Sequence, residues 1–216
     1  MLTHRFHLSV APDRHVTASW FLPDAPRAAI TLAHGAGTNL DHPLIHDLAL
    51  ALAHEQLAVL RFNFLFTEHQ RKRPDPPAHT FPVIQAAVRE AGKRFPGIPL
   101  FLSGKLFGGR MCSLWVATHQ PRWISGLIFF GFPLHRKGKP DSTRALHLKE
   151  LALPLLFLQG QRDALATPAL LSASVGQQPN AQLVFLSDAN HSLEVRKQVD
   201  YSTISSMVRQ FIDLQQ

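Results

Sequence analysis

An apolar strand signal at Leu100-Phe101-Leu102-Ser103 runs straight into Gly104-Lys105-Leu106-Phe107-Gly108-Gly109-Arg110. Glycines on either side of a central residue frame a sharp strand-to-helix turn, the G-x-S-x-G elbow, whose serine stands clear of the sheet. The glycines are there because strand and helix pass too closely for side chains. This frame constrains the fold more than any other feature: a strand must end beneath a helix N-terminus. Here the central residue is Leu106, which has no group able to attack a carbonyl.

Glycine pairs at this spacing recur by chance, so the companions of the motif decide. His34-Gly35-Ala36-Gly37 follows the apolar run Ala28 to Ala33. Asp163 follows Pro154 to Gly160, and His191 follows Leu183-Val184-Phe185-Leu186. Each polar candidate sits just past an apolar strand, where open α/β sheets place their ligands. The order of oxyanion loop, elbow, acid and histidine is the one that elbow chemistry needs.

The rest of the chain alternates strand and helix. Strands are expected near Phe6 to Val10, Val16 to Leu22, Ala28 to Ala33, Leu57 to Phe64, Leu100 to Ser103 and Ile124 to Phe130. Two more end at Gly160 and Leu186. Helical spacing of Leu44, Ile45, Leu48 and Leu52 predicts a helix from Pro43 to about Glu55, and others are expected over Phe81 to Phe95, after the elbow, at Thr167-Pro168 and over Asp200 to Leu214. His135 to His147 reads as loop, with no room for a cap. The pattern predicts one domain over residues 1–216, with a mostly parallel sheet covered by helices on both faces.

The sequence resembles the small, lidless α/β-hydrolases of the dienelactone-hydrolase-like branch, close to a group whose elbow reads G-K-S-x-G-G-R. The resemblance rests on Leu32 to Gly37, Arg61-Phe62-Asn63-Phe64, Gly104-Lys105 with Gly108-Gly109-Arg110, Gln159 to Asp163, and Asn190-His191-Ser192. It implies a three-layer fold and hydrolysis of a small ester or acyl compound without a cofactor. It also implies that Asp163 and His191 are the acid and base of a triad, with Leu106 at the serine position. The carboxylate would accept from one ring nitrogen of His191 and leave the other toward residue 106. Gly35, Ala36 and Gly37 with the Phe107 amide would form the oxyanion hole. Lys105, Arg61 and Arg110 match the family pattern as pocket-lining candidates. The two arginines could pair with Glu68 or Asp41 there, or form structural ion pairs at the strand edge. His34 is expected to hydrogen-bond backbone.

Other hydroxyl and thiol groups offer no substitute nucleophile. Ser103 lies on the strand, and Cys112 and Ser113 lie within the following helix. Three functions stay open: a hydrolase impaired at residue 106, a binding or scaffold protein using the pocket or the basic loops, and an active hydrolase whose serine Leu106 replaces. An Asp–His dyad activating water is a residual fourth.

Composition narrows the rest. At 216 residues, 45% hydrophobic and 17% charged, the chain can bury a core unaided. No apolar run reaches the length of a membrane span, and a single cysteine, Cys112, suits a reducing compartment such as the cytoplasm. The histidines show no ligand spacing with Cys112, so no metal is expected. The net charge of +7 concentrates at Arg71-Lys72-Arg73 and Arg136-Lys137-Gly138-Lys139. Without interleaved aromatic residues these clusters read as solvated loops rather than a nucleic-acid surface.

Overall fold

The computed structural model describes residues 1–176 and 178–215. Eight strands form one sheet: β1 (Leu2–Ala11), β2 (Arg14–Leu22), β3 (Ala28–Ala33), β4 (Leu57–Phe62), β5 (Leu100–Lys105), β6 (Gly126–Phe130), β7 (Leu155–Gly160) and β8 (Ala181–Leu186). Their order is β1-β2-β4-β3-β5-β6-β7-β8. Strand β2 runs antiparallel to β1 and β4, and every other pair is parallel. The helices are α1 (Pro43–His54), α2 (Leu65–Glu68), α3 (Pro77–Arg94), α4 (Phe107–His119), α5 (Pro168–Val175) and α6 (Tyr201–Asp213), with a 3-10 helix at Thr143–Glu150.

The central strands are apolar at nearly every position because both faces are covered. Successive side chains point to opposite faces. Ile30, Leu32, Phe101, Ile128, Phe130 and Leu156 therefore pack with α1 and α6. Leu102, Leu127, Phe129, Leu155 and Phe157 pack with α3, α4 and α5 on the other side. Asp200 caps α6, its carboxylate accepting from the Thr203 N–H at 3.0 Å.

Three elements depart from the expectation. Helix α3 begins at Pro77, four residues before the expected start. Proline at the first helical position loses no hydrogen bond and arrives with a helical φ, so Pro77 serves as a helix start. The short α2 and the 3-10 helix have no apolar period long enough to signal them. No helix among the described residues is long and apolar enough to cross a membrane.

Candidate active site at the C-terminal edge of the sheet

Register brings the site together. Ala33 pairs with Gly104, and Lys105 with Phe130, so β3, β5 and β6 end at one level. The chain then turns at His34, Leu106 and Gly131 along the same edge. Leu106 caps α4 with φ 48° and ψ −109°. That conformation costs a residue with a Cβ on the order of 1–3 kcal/mol, and it persists because the surroundings over-determine it. A Cβ on Gly104 would lie 2.6 Å from the Gly108 carbonyl carbon, and one on Gly108 would lie 2.6 Å from the His34 carbonyl oxygen. The elbow frame is thus intact, and its tip carries an isobutyl group. The Leu106 N–H donates to the Gly131 carbonyl at 3.0 Å, while Leu106 Cδ2 lies 3.5 Å from where a Gly131 Cβ would be. Gly131 itself sits at φ 75°.

The oxyanion loop folds against this turn. Gly35 approaches the Lys105 carbonyl, and the Thr38 N–H closes the loop on the Gly35 carbonyl at 3.2 Å. Phe107 is the first residue of α4, where backbone N–H groups have no intrahelical acceptor. Buried His34 anchors the loop from below. Its Nδ1 faces the Gly35 carbonyl at 2.7 Å, and its Nε2 accepts from the Phe64 N–H at 3.1 Å and contacts Thr67 Oγ1 at 3.2 Å. An acceptor Nε2 requires a neutral ring with its proton on Nδ1. A cavity of about 670 Å³ opens beside the loop, lined by Ala36, Gly37, Thr38, Phe66 and Lys72 among others.

Burial holds the pKa of His34 down to about 4, against the Gly35 carbonyl and the charge of Glu68. Between about pH 6.5 and pH 4 the unfolded chain therefore takes up a proton that the folded chain refuses. Stability falls as pH drops through that window, by roughly 3 kcal/mol for this group. Burial also lowers the His147 pKa to about 4, with the same sign. Urea unfolding at several values from pH 7 to pH 4 should show this slope, and His34→Gln should reduce it, leaving the part due to His147. An unchanged slope in that variant would contradict the assignment.

Asp163 and His191 occupy adjoining loops. Gly160 lets the two loops touch, since a Cβ there would lie 2.6 Å from the Ala189 carbonyl. The Arg162 N–H then donates to Ala189 at 2.8 Å. The hydrogen bond expected between Asp163 and His191 is not formed. The Asp163 carboxylate, 3% exposed, accepts from Gln159 Nε2 at 2.6 Å and the Leu165 N–H at 2.7 Å. His191 is exposed, with its Nε2 3.5 Å from Ser192 Oγ. Burial raises the Asp163 pKa, opposed by the Leu165 N–H, Lys105, His191 and Gln159. Asn190 shapes the histidine turn by accepting from the N–H groups of Ser192 at 2.7 Å and Glu194 at 3.1 Å.

The basic candidates separate. Lys105 is 4% exposed and donates to the His191 carbonyl, so it lies beneath the site rather than lining it. Burial lowers its pKa to about 8 despite the charges of Asp163 and Glu194. Arg61 is 3% exposed and makes no ion pair among the described residues. It donates to the Leu40 carbonyl at 2.8 Å and Ser19 Oγ at 3.4 Å and lies over the Phe21 ring. The acids expected to pair with it are engaged elsewhere: Asp41 with Arg5, and Glu68 with the Thr17 N–H and Asn63. Arg110 is half-buried, one turn beyond Leu106, and meets neither acid.

Nearby hydroxyl and thiol groups point away from the tip. Ser103 Oγ donates to the Thr31 carbonyl at 2.8 Å, and Ser113 Oγ to the Arg110 carbonyl at 3.0 Å. Burial pushes the Cys112 thiol up to about 12. Sequence reasoning missed Gln159, whose Oε1 accepts from the Phe132 N–H at 2.7 Å while its amide holds Asp163. A polar side chain within the run Leu155 to Gly160 was its signal. No group of His, Cys, Asp or Glu side chains able to hold a metal occurs among the described residues.

Residues 26–215 match a family model described as an alpha/beta hydrolase domain. The backbone is similar to that of a dienelactone hydrolase from Anabaena variabilis, with a TM-score of 0.81 at 16% identity, covering 99% of this chain and 97% of that one. A lidless α/β serine hydrolase from Xanthomonas campestris matches with a TM-score of 0.76 at 18% identity, over 98% of this chain and 94% of that one. Est1E from Butyrivibrio proteoclasticus, solved with ferulic acid, matches with a TM-score of 0.77 at 15% identity, over 97% and 98%. At these identities the structural likeness speaks for the fold.

Proposed function

This chain belongs to the alpha/beta hydrolase family, and from that premise we propose that it is a single-domain, cap-less member that binds small ester or acyl compounds but is impaired in hydrolysing them. The observation that carries this reading is Leu106, held at φ 48° at the elbow tip where the family's chemistry needs a nucleophile. The remaining parts have assigned places in the proposal. Ala36, Gly37 and Phe107 supply backbone N–H groups for the carbonyl oxygen. His191 is the base position and Asp163 the acid, with Gln159 holding the carboxylate. Lys105 joins the elbow to the histidine loop through the His191 carbonyl.

With an alkyl group at residue 106 no acyl-enzyme can form, because no atom there carries a lone pair for the carbonyl carbon. The chain then keeps only what binding and oxyanion donors contribute, a small remnant of the full rate. Apart from Arg71 and Lys72, which border the cavity beside the oxyanion loop, the basic loops stay outside this function in our reading. Arg71 is neutralised by Asp75 at 2.9 Å, and Arg136 to Lys139 close a turn exposed to solvent. We place the protein in a reducing compartment, consistent with its one buried thiol.

Turnover of p-nitrophenyl acetate tests the reading. The natural chain should match its own heat-denatured control to within about threefold, whereas an assembled triad exceeds such a control by orders of magnitude. A clear protein-dependent rate would overturn the impairment.

A further inference from the structure

Gln159, near the end of β7, is fully buried between the elbow and the acid loop. Its side-chain oxygen accepts from the Phe132 N–H at 2.7 Å, and its amide nitrogen donates to Asp163 Oδ2 at 2.6 Å. The partners fix this orientation, because a flipped amide would set donor against donor and oxygen against carboxylate. The Phe132 N–H belongs to the same peptide group as the Gly131 carbonyl, and that carbonyl accepts from the Leu106 N–H at 3.0 Å. Three hydrogen bonds therefore run in one direction, from the elbow tip through one peptide group and one side-chain amide to the carboxylate. The Leu165 N–H holds the other carboxylate oxygen at 2.7 Å. Lys105 from β5 and His191 from the histidine loop are the charged and titratable groups that face it.

Amide groups bonded head to tail in a dry interior polarise one another, each strengthening the next. An ionised acceptor at the end of such a chain strengthens it most. We propose that Gln159 is a positioning residue that ties the acid to the elbow through this relay, so that the charge of Asp163 is felt at the backbone of the elbow tip. The inference rests on the reading of Asp163 as the acid position. It gives the polar side chain within an apolar strand a role that packing does not. A leucine there would leave a buried N–H and a buried carboxylate oxygen each short of a partner.

The test is a double-mutant cycle read by NMR at one neutral pH, with Asp163→Asn and Gln159→Leu as the two changes to the natural chain. Asp163→Asn should move the Phe132 and Leu106 N–H resonances upfield. It should also reduce the scalar coupling across the Leu106–Gly131 hydrogen bond by about 10–30%, the cooperative share of such a bond. In the Gln159→Leu background the same change should leave the Leu106 N–H where it was. The Gly131 N–H, bonded to the Leu158 carbonyl at 2.8 Å and outside the relay, is the internal control. Thermal unfolding checks each variant. If Gln159→Leu does not fold, the scalar couplings across the Phe132–Gln159 and Leu106–Gly131 bonds decide the matter, and both should weaken in Asp163→Asn while the Gly131 N–H stays unchanged. An equal Leu106 shift in both backgrounds would mean that the charge acts directly through space, and would overturn the relay. So would the absence of any shift at Leu106. Hydrolysis by Leu106→Ser tests the acid position separately: coupling seen by NMR without a gain of hydrolysis would count against that reading and leave the relay standing.

Discussion

Leu106→Ser should hydrolyse a short-chain aryl ester at least about a hundredfold faster than the natural chain, the scale on which a working nucleophile separates from binding and oxyanion donors alone. The elbow already holds residue 106 in the required backbone conformation, so the substitution pays no new strain. The Leu106 side chain is half-exposed, and shortening it should change stability by within about 1 kcal/mol. His191 is exposed on a loop bonded to the Asp163 loop, and a ring turned toward the new hydroxyl and the carboxylate would complete the triad. The assay is aryl acetate turnover by both forms under identical conditions. Equal rates would mean that the acid and base do not assemble around the tip.

Gly108→Ala should be among the most damaging single methyl groups in the chain, removing roughly 3 kcal/mol or more of stability or abolishing folding. Its Cβ would run into the Ala33 carbonyl and lie 2.6 Å from the His34 carbonyl oxygen. Both are backbone atoms at the end of a central strand, with no rotamer that moves them aside. Gly37→Ala is the matched control, since a Cβ there meets nothing within 4 Å. It should shift stability by no more than about 0.5 kcal/mol. Thermal and urea unfolding of both variants checks the contrast. A Gly108→Ala protein as stable as the Gly37→Ala one would mean that elbow and oxyanion loop are not packed as described.

Much of this was legible in the sequence, for identifiable reasons. The strands β3 to β7 announce themselves because burial on both faces leaves almost unbroken apolar runs. The elbow is legible because Gly104 and Gly108 are required by backbone contact. His34 bonds backbone, as its place in the loop suggested. What stayed hidden depends on partners distant in the chain. Arg61 reads as a pocket arginine, yet the Leu40 carbonyl and the Phe21 ring claim it. Asp163 reads as free to meet His191, yet Gln159 and the Leu165 N–H occupy it. Spacing places a residue at the end of a strand; only packing decides which neighbour its side chain takes. Only the first turn of helix α3 was hidden, and for a local reason, because proline signals both a loop and a helix start.

Intact-mass analysis after treatment with a fluorophosphonate probe tests the central claim most directly, because the probe reports a nucleophile activated by its base whatever the natural substrate is. The natural chain should gain no adduct, whereas Leu106→Ser should gain one, mapped by peptide sequencing to residue 106. An adduct on the natural chain, at Ser192 or any other residue, would contradict the claim that this site has lost its nucleophile.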